Sequence, residues 1–202
     1  MNKLLNWYEG ATWLRALVQL PPGGGSVDVL LAGKATELNQ KRLNELIEDV
    51  NRRVQTLEGA LPVELLQSEA FFEVFRTAAE IVARSADPRK REVVAEYLSG
   101  MIRNGVVTDL GAQVLEDLRF LQPLHLQVLA ALSPVANSPV SKQHPPESLA
   151  SMPVEVYEKA MSDLDRLGFL RYNTAGIGTI GGGGGHWETT DYVRVFRQYI
   201  ES

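Results

Sequence analysis

The sequence predicts a mainly α-helical fold: an N-terminal helical bundle over residues 1–121, then a smaller domain over residues 122–202 in which helices flank a β-hairpin. Three observations lead there. Through the first two thirds, apolar residues recur three and four positions apart, the mark of helices with one buried face. The connections in that region are short and carry helix-start residues such as Ser68, Asp87 with Pro88, and Thr108, so successive helices fold back on one another. Only in the last third does the pattern change, to short extended runs at Phe169–Tyr172 and His186–Glu188 around a glycine tract.

Composition narrows the chemistry. With 202 residues, of which 45% are hydrophobic, the chain can bury a proper core. A net charge of −5 gives no general attraction to phosphate backbones, so any nucleic-acid contact needs a local basic patch. Cysteine is absent, which removes disulfides, thiolate nucleophiles and sulfur-ligated zinc, and a cytoplasmic setting is expected.

Leu4, Trp7, Ala11, Leu14 and Val18 lie on one face of a first helix. Asn6, Glu9 and Arg15 interrupt any apolar run, so neither a signal-peptide core nor a membrane span is expected. An interfacial anchor wants several basic residues and this stretch has Lys3 and Arg15, so the helix is read as packing on the body or on a partner. Pro21, Pro22 and three glycines stop it. A long polar helix over Val27–Leu57 follows. Its Leu43, Ile47, Val50, Val54 and Leu57 repeat like two heptads, a candidate homodimer seam.

Ser68 caps a helix to Arg84 with a core stripe of Phe72, Phe75, Ala79 and Val82. Asp87 and Pro88 open the next, which buries Val94, Leu98, Met101 and Ile102 and ends at Gly105. Thr108 or Asp109 starts another. Pro123 begins a helix with Leu124, Val128, Leu129 and Leu132 inward, and a proline-rich loop leads to a short helix at Glu147–Ser151. After Pro153, Val154, Tyr157, Met161 and Leu164 mark a helix that Gly168 terminates. The hairpin follows, with its tip at Gly181–Gly185. A Thr190-capped helix then turns Val193, Phe196 and Ile200 inward.

The run Leu164-Asp-Arg-Leu-Gly-Phe-Leu170, the hairpin, and Thr190 before a terminal helix resemble the ending of bacterial winged-helix domains. More broadly, Ser68–Phe71 and Pro123-Leu124-His125 resemble segments of abortive-infection alpha proteins and similar bacterial proteins. That resemblance implies a winged-helix-like C-terminal domain and a non-enzymatic bacterial protein with a role in phage defence, and it supplies no catalytic residues.

No residue pattern marks a reaction, and no cofactor or metal is expected. Gly176–Gly181 satisfies G-x-G-x-x-G, yet a pyrophosphate loop requires a helix immediately after it, and four more glycines with His186 and Trp187 intervene, so it reads as a wing tip. His125, His144 and His186 lack the spacing of a helical metal pair. Arg84, Arg89, Lys90, Arg91 and Arg103 form a candidate anion or partner patch, because three of them occupy a first helical turn where the macrodipole disfavours cations. An acidic helix of the same protein is the first explanation and an external anion the second. His186, Trp187, Arg194 and Arg197 are candidate wing contacts. A groove-reading helix after Pro153 would present Glu155, Glu158, Lys159, Ser162, Asp163, Asp165 and Arg166, net −2, the wrong sign for DNA. The expected function is therefore a cytoplasmic interaction protein that makes protein contacts or self-associates. A winged-helix DNA-binding regulator using Arg194 and Arg197 is the alternative.

Overall fold

The computed structural model describes residues 36–55, 62–132, 140–141, 145–173 and 185–200. The expected N-terminal tryptophan helix, its proline-glycine stop, Leu57, His144 and most of the glycine tract lie outside them. The described residues are mainly helical with one small antiparallel sheet, and the chain divides into two compact units, Met1–Arg119 with Gln198–Ser202, and Phe120–Arg197.

The first unit contains α1 (Thr36–Gln55), the single turn α2 (Val63–Leu66), α3 (Glu69–Arg84), α4 (Pro88–Asn104) and α5 (Asp109–Asp117). Helix starts follow local chemistry. Ser68 accepts the Phe71 N–H at 3.2 Å, Asp87 the Arg89 N–H at 3.0 Å and Thr108 the Gly111 N–H at 3.0 Å, each satisfying a donor that the helix leaves open. Gly105 ends α4 at φ 67°, a conformation that side chains with a Cβ resist.

Helix α1 packs on α3 and α4 through Leu43, Leu46, Ile47 and Val50, all buried. The heptad-like spacing is thus occupied by the chain's own helices. Leu43, Ile47 and Val50 are unavailable for the expected homodimer seam, and Val54 is half-buried. Two partly buried ion pairs, Arg53 with Glu96 and Arg91 with Glu45, tie α1 to α4 at two points along its length. The core stripe of α3 runs through Phe71, Val74, Phe75, Ala78, Ala79 and Val82, and the expected Phe72 is only half-buried. A helical face centred between adjacent phenylalanines admits either phase, and packing selects Phe71.

The second unit begins with α6 (Pro123–Leu132), β1 (Val140–Ser141), a single turn of 3-10 helix (Glu147–Leu149) and α7 (Val154–Arg166). It continues through β2 (Leu170–Asn173), β3 (His186–Thr189) and α8 (Asp191–Ile200), whose end from Gln198 belongs to the first unit. The sheet order is β1–β3–β2, antiparallel throughout, with Tyr172 opposite Trp187 and Val140 opposite Trp187 from the other side. A third strand extends the expected hairpin.

Gly168 takes φ 82° and turns α7 into β2. Thr190 joins strand and helix: its hydroxyl donates to the Phe169 carbonyl at 3.1 Å and accepts the Tyr192 N–H at 3.2 Å. Phe169 meets Tyr192 and Phe196 edge-on at 5.6 and 6.1 Å, the favoured aromatic geometry. In α7, Tyr157, Met161 and Leu164 are buried as expected, whereas Val154 is 42% exposed because it precedes the first residue of the inward stripe.

Candidate functional site

The strongest constellation of polar groups in the second unit lies between α6 and α7. Gln122 stands at the start of α6, Pro123 occupies the first helical position, where a missing N–H costs nothing, and His125 is the third helical residue. From that position the imidazole reaches back: its Nδ1 accepts the Gln122 backbone N–H at 2.9 Å. A backbone N–H is an obligate donor, so Nδ1 carries a lone pair and the proton of the neutral ring sits on Nε2. Nε2 faces Asp163 Oδ2 of α7 at 3.5 Å.

Asp163 is shared. Lys159, one turn earlier, approaches the same oxygen at 3.5 Å, and Arg166 donates to Oδ1. Burial pushes the Asp163 carboxyl upward, and the charges and hydrogen bonds of Lys159 and Arg166 outweigh it, so the group is held below its ordinary value. Beside this cluster is a depression of about 570 Å³, bounded by Leu124 and His125 from α6 and by Glu155, Val156, Lys159 and Ala160 from α7. None of the residues bounding it carries a hydroxyl or thiol nucleophile. Val156 is 38% exposed, and with half-buried Leu124 it gives the depression an apolar wall.

The basic residues singled out around Asp87 have separate fates. Arg91 pairs with Glu45 of α1, and the Lys90 ammonium donates to the Arg119 carbonyl at 2.6 Å while burial lowers its pKa. These contacts answer the macrodipole penalty from inside the unit. Arg103 is half-buried, and Arg84 and Arg89 are exposed. The five do not act as one exposed patch.

The wing candidates divide likewise. Trp187 is buried against Tyr172, ring centroids 4.8 Å apart, so it is a core residue of the sheet and no surface contact. Arg197 donates to the Leu132 carbonyl at 2.7 Å and closes the end of α6, and Arg194 pairs with Asp191 of its own helix at 3.1 Å. His186 faces the other side of the sheet from Trp187, where Glu188 accepts from Asn173 at 2.8 Å and pairs with His186 at 3.0 Å. The Asn173 hydrogen bond, then the His186 one, holds the Glu188 carboxyl below its ordinary value.

Among the described residues no group of three or more His, Asp or Glu side chains could hold a metal ion, and no helix is long and apolar enough to cross a membrane. Comparison with protein-family models, with curated proteins and with solved structures yields no match to the chain.

The sequence left the His125–Asp163 pair unassigned. Half of it was in view: a Gln-Pro start with an acceptor side chain at the third helical position follows capping-box spacing. Asp163, on another helix, is brought there only by the packing of α7 on α6.

Proposed function

We propose that Phe120–Arg197 is a winged-helix-type module turned to protein contacts rather than to DNA reading, in a non-enzymatic protein. The order helix, short strand, one-turn helix, helix, strand, strand supports the winged-helix assignment, as does the sheet order β1–β3–β2, with β2 leaving α7 directly at Gly168.

The observation that carries the choice against DNA is the commitment of both α7 cations to Asp163. A helix entering the major groove supplies cations to phosphates, and release of the counterions they displace drives the binding. Lys159 and Arg166 are exposed and lie against the Asp163 carboxylate, and Glu155 is exposed beside them, so α7 offers phosphates little net positive charge. In the same unit Arg194 and Arg197 are engaged with Asp191 and Leu132. Exposed Val156, which lines the depression, and exposed Val154 at the start of α7 suit an apolar protein contact instead.

Fluorescence anisotropy with generic duplex DNA at low salt tests the reading. The expected result is no association below high micromolar concentration, and salt-sensitive tight binding would restore the DNA-binding regulator. The biological setting, phage defence, rests on the resemblance to abortive-infection proteins alone, and plaque counts on a host with and without the gene test it.

A further inference from the structure

We infer that His125 makes the start of α6 responsive to pH, because one ring nitrogen caps that helix while the other faces α7. This goes beyond the proposed protein contacts and holds whatever the second unit binds. In a capping box the third helical residue is normally Glu or Gln, whose oxygen accepts from the backbone N–H at the helix start. His125 performs that task with Nδ1, at 2.9 Å from the Gln122 nitrogen. A glutamine acceptor survives acidification unchanged, whereas an imidazolium is a donor at both nitrogens. Protonation therefore sets Nδ1–H against the Gln122 N–H, and the cap must open.

The charges around the ring decide which form the fold holds. His125 is the sole titratable side chain of α6. From α7 it meets Asp163, with Lys159 and Glu155 along the same depression and Arg166 reaching Asp163 from the far side. The 3-10 turn packed on α6 carries Glu147, which is exposed. Asp163 and Glu155 favour an imidazolium. Against it stand near-complete burial, the Lys159 ammonium, the positive end of the α6 macrodipole, and the prior engagement of Asp163 with two cations. The neutral ring, with the proton on Nε2, is the resident form.

Acidification then exchanges one tie for another. The bond to Gln122 is lost, the attraction of the ring to Asp163 strengthens, and the first turn of α6 loosens beside the depression while the ring remains anchored to α7. The coupling runs through a single side chain.

The test uses the full chain. Ring nitrogen chemical shifts of His125 and hydrogen-exchange protection of the Gln122 amide are followed by NMR from about pH 7.5 to about pH 5.5, either side of the ordinary imidazole value of about 6.5. The expected result is an unprotonated Nδ1 at the upper pH and a roughly tenfold fall in Gln122 protection on acidification, the order of effect of losing one hydrogen bond. His125→Gln keeps a capping acceptor that cannot titrate, and its Gln122 protection should stay level over the same range. A protonated Nδ1 at the upper pH overturns the inference. So does protection that ignores pH in the wild type, or that falls equally in His125→Gln. Should that variant fail to fold, the wild-type ring shifts and protection decide the matter.

Discussion

Gly100→Ala is the sharpest test of how the first unit is closed. In the middle of a helix this change ordinarily stabilises by up to about 1 kcal/mol, because alanine loses less chain entropy than glycine. Here a Cβ would stand 1.9 Å from the Tyr199 carbonyl oxygen, 2.6 Å from its carbonyl carbon and 2.7 Å from its Cα. Those atoms are backbone and cannot rotate away. Relaxing to an ordinary contact of about 3.5 Å requires the end of α8 to retreat by roughly 1.5 Å. The retreat disturbs Tyr199, which is fully buried and packs edge-on against Tyr97 with centroids 5.0 Å apart. Overpacking of this kind costs about 1–3 kcal/mol, and loosening an aromatic pair about 0.5–1.5 kcal/mol more. Set against the helix-propensity gain, the net expectation is a loss of about 1–3 kcal/mol, read from urea unfolding followed by far-ultraviolet circular dichroism. A variant as stable as the wild type, or more so, would refute the close approach of the Tyr199 backbone to α4. Tyr199→Ala supplies the control. It should cost more by itself, and adding Gly100→Ala to it should cost less than in the wild type, because no ring remains to be displaced.

Two further substitutions probe the interior. The Tyr157 hydroxyl is buried without a hydrogen-bond partner among the described residues, so Tyr157→Phe should stabilise the second unit by about 1 kcal/mol; a loss of that size would mean that the hydroxyl has a partner after all. Burial also pushes the Tyr157 phenol up to about 12, above the unfolded value of about 10, so the folded state keeps its proton longer. Stability from this group is complete below about pH 10 and is lost as pH rises toward about 12, a loss that alkaline unfolding curves should show reduced in Tyr157→Phe. Val50→Asp separates an interior seam from an intermolecular one: with Val50 fully buried against α3 and α4, the charge should unfold the helical unit. A well-folded monomer replacing a wild-type dimer, read by circular dichroism together with light scattering, would reinstate the homodimer seam.

What could be read in advance follows the range of the interactions. Ser68, Asp87, Thr108 and Thr190 each bond within three residues to a helix start, and Gly105 and Gly168 terminate helices by their own backbone geometry, so all six were legible from neighbours alone. Faces were legible to within one residue. The stripe of α3 shifts from Phe72 to Phe71, and in α8 the deepest side chain near the end is Tyr199 where Ile200 was expected. A period of 3.6 leaves two adjacent apolar residues nearly equivalent until a partner helix chooses between them. Leu46 was missed in α1 because a strict heptad reading assigns it no inward position, whereas a helix wedged between two others needs a wider apolar face. Strand β1 hid in a proline-rich loop, since two residues that pair only with β3 carry no period of their own. The His125–Asp163 contact was out of reach for the same reason: each half is ordinary, and only tertiary packing joins them.

The basic residues make a general point about charge counting. Arg89, Lys90 and Arg91 sit in the first turn of α4, where each opposes the macrodipole. Two of the three are answered inside the unit, Arg91 by the Glu45 carboxylate and Lys90 by the Arg119 carbonyl, which is also how α4 is fixed to α1 and to the chain after α5. In the second unit, Lys159 and Arg166 converge on one carboxylate, and Arg197 is spent on the Leu132 carbonyl. Carbonyls satisfy cations without cancelling an acid in the formal count. Each cation directed inward to one leaves the outward surface with less positive charge than the composition implies. The formal charge of −5 counts these cations and the half-buried carboxylate that pairs with Lys159 and Arg166 alike, so it does not give the charge of the outward face. On the proposed reading of α7 as a protein-contact face, exposed Val154, Val156 and Glu155 suit an apolar surface that carries basic residues.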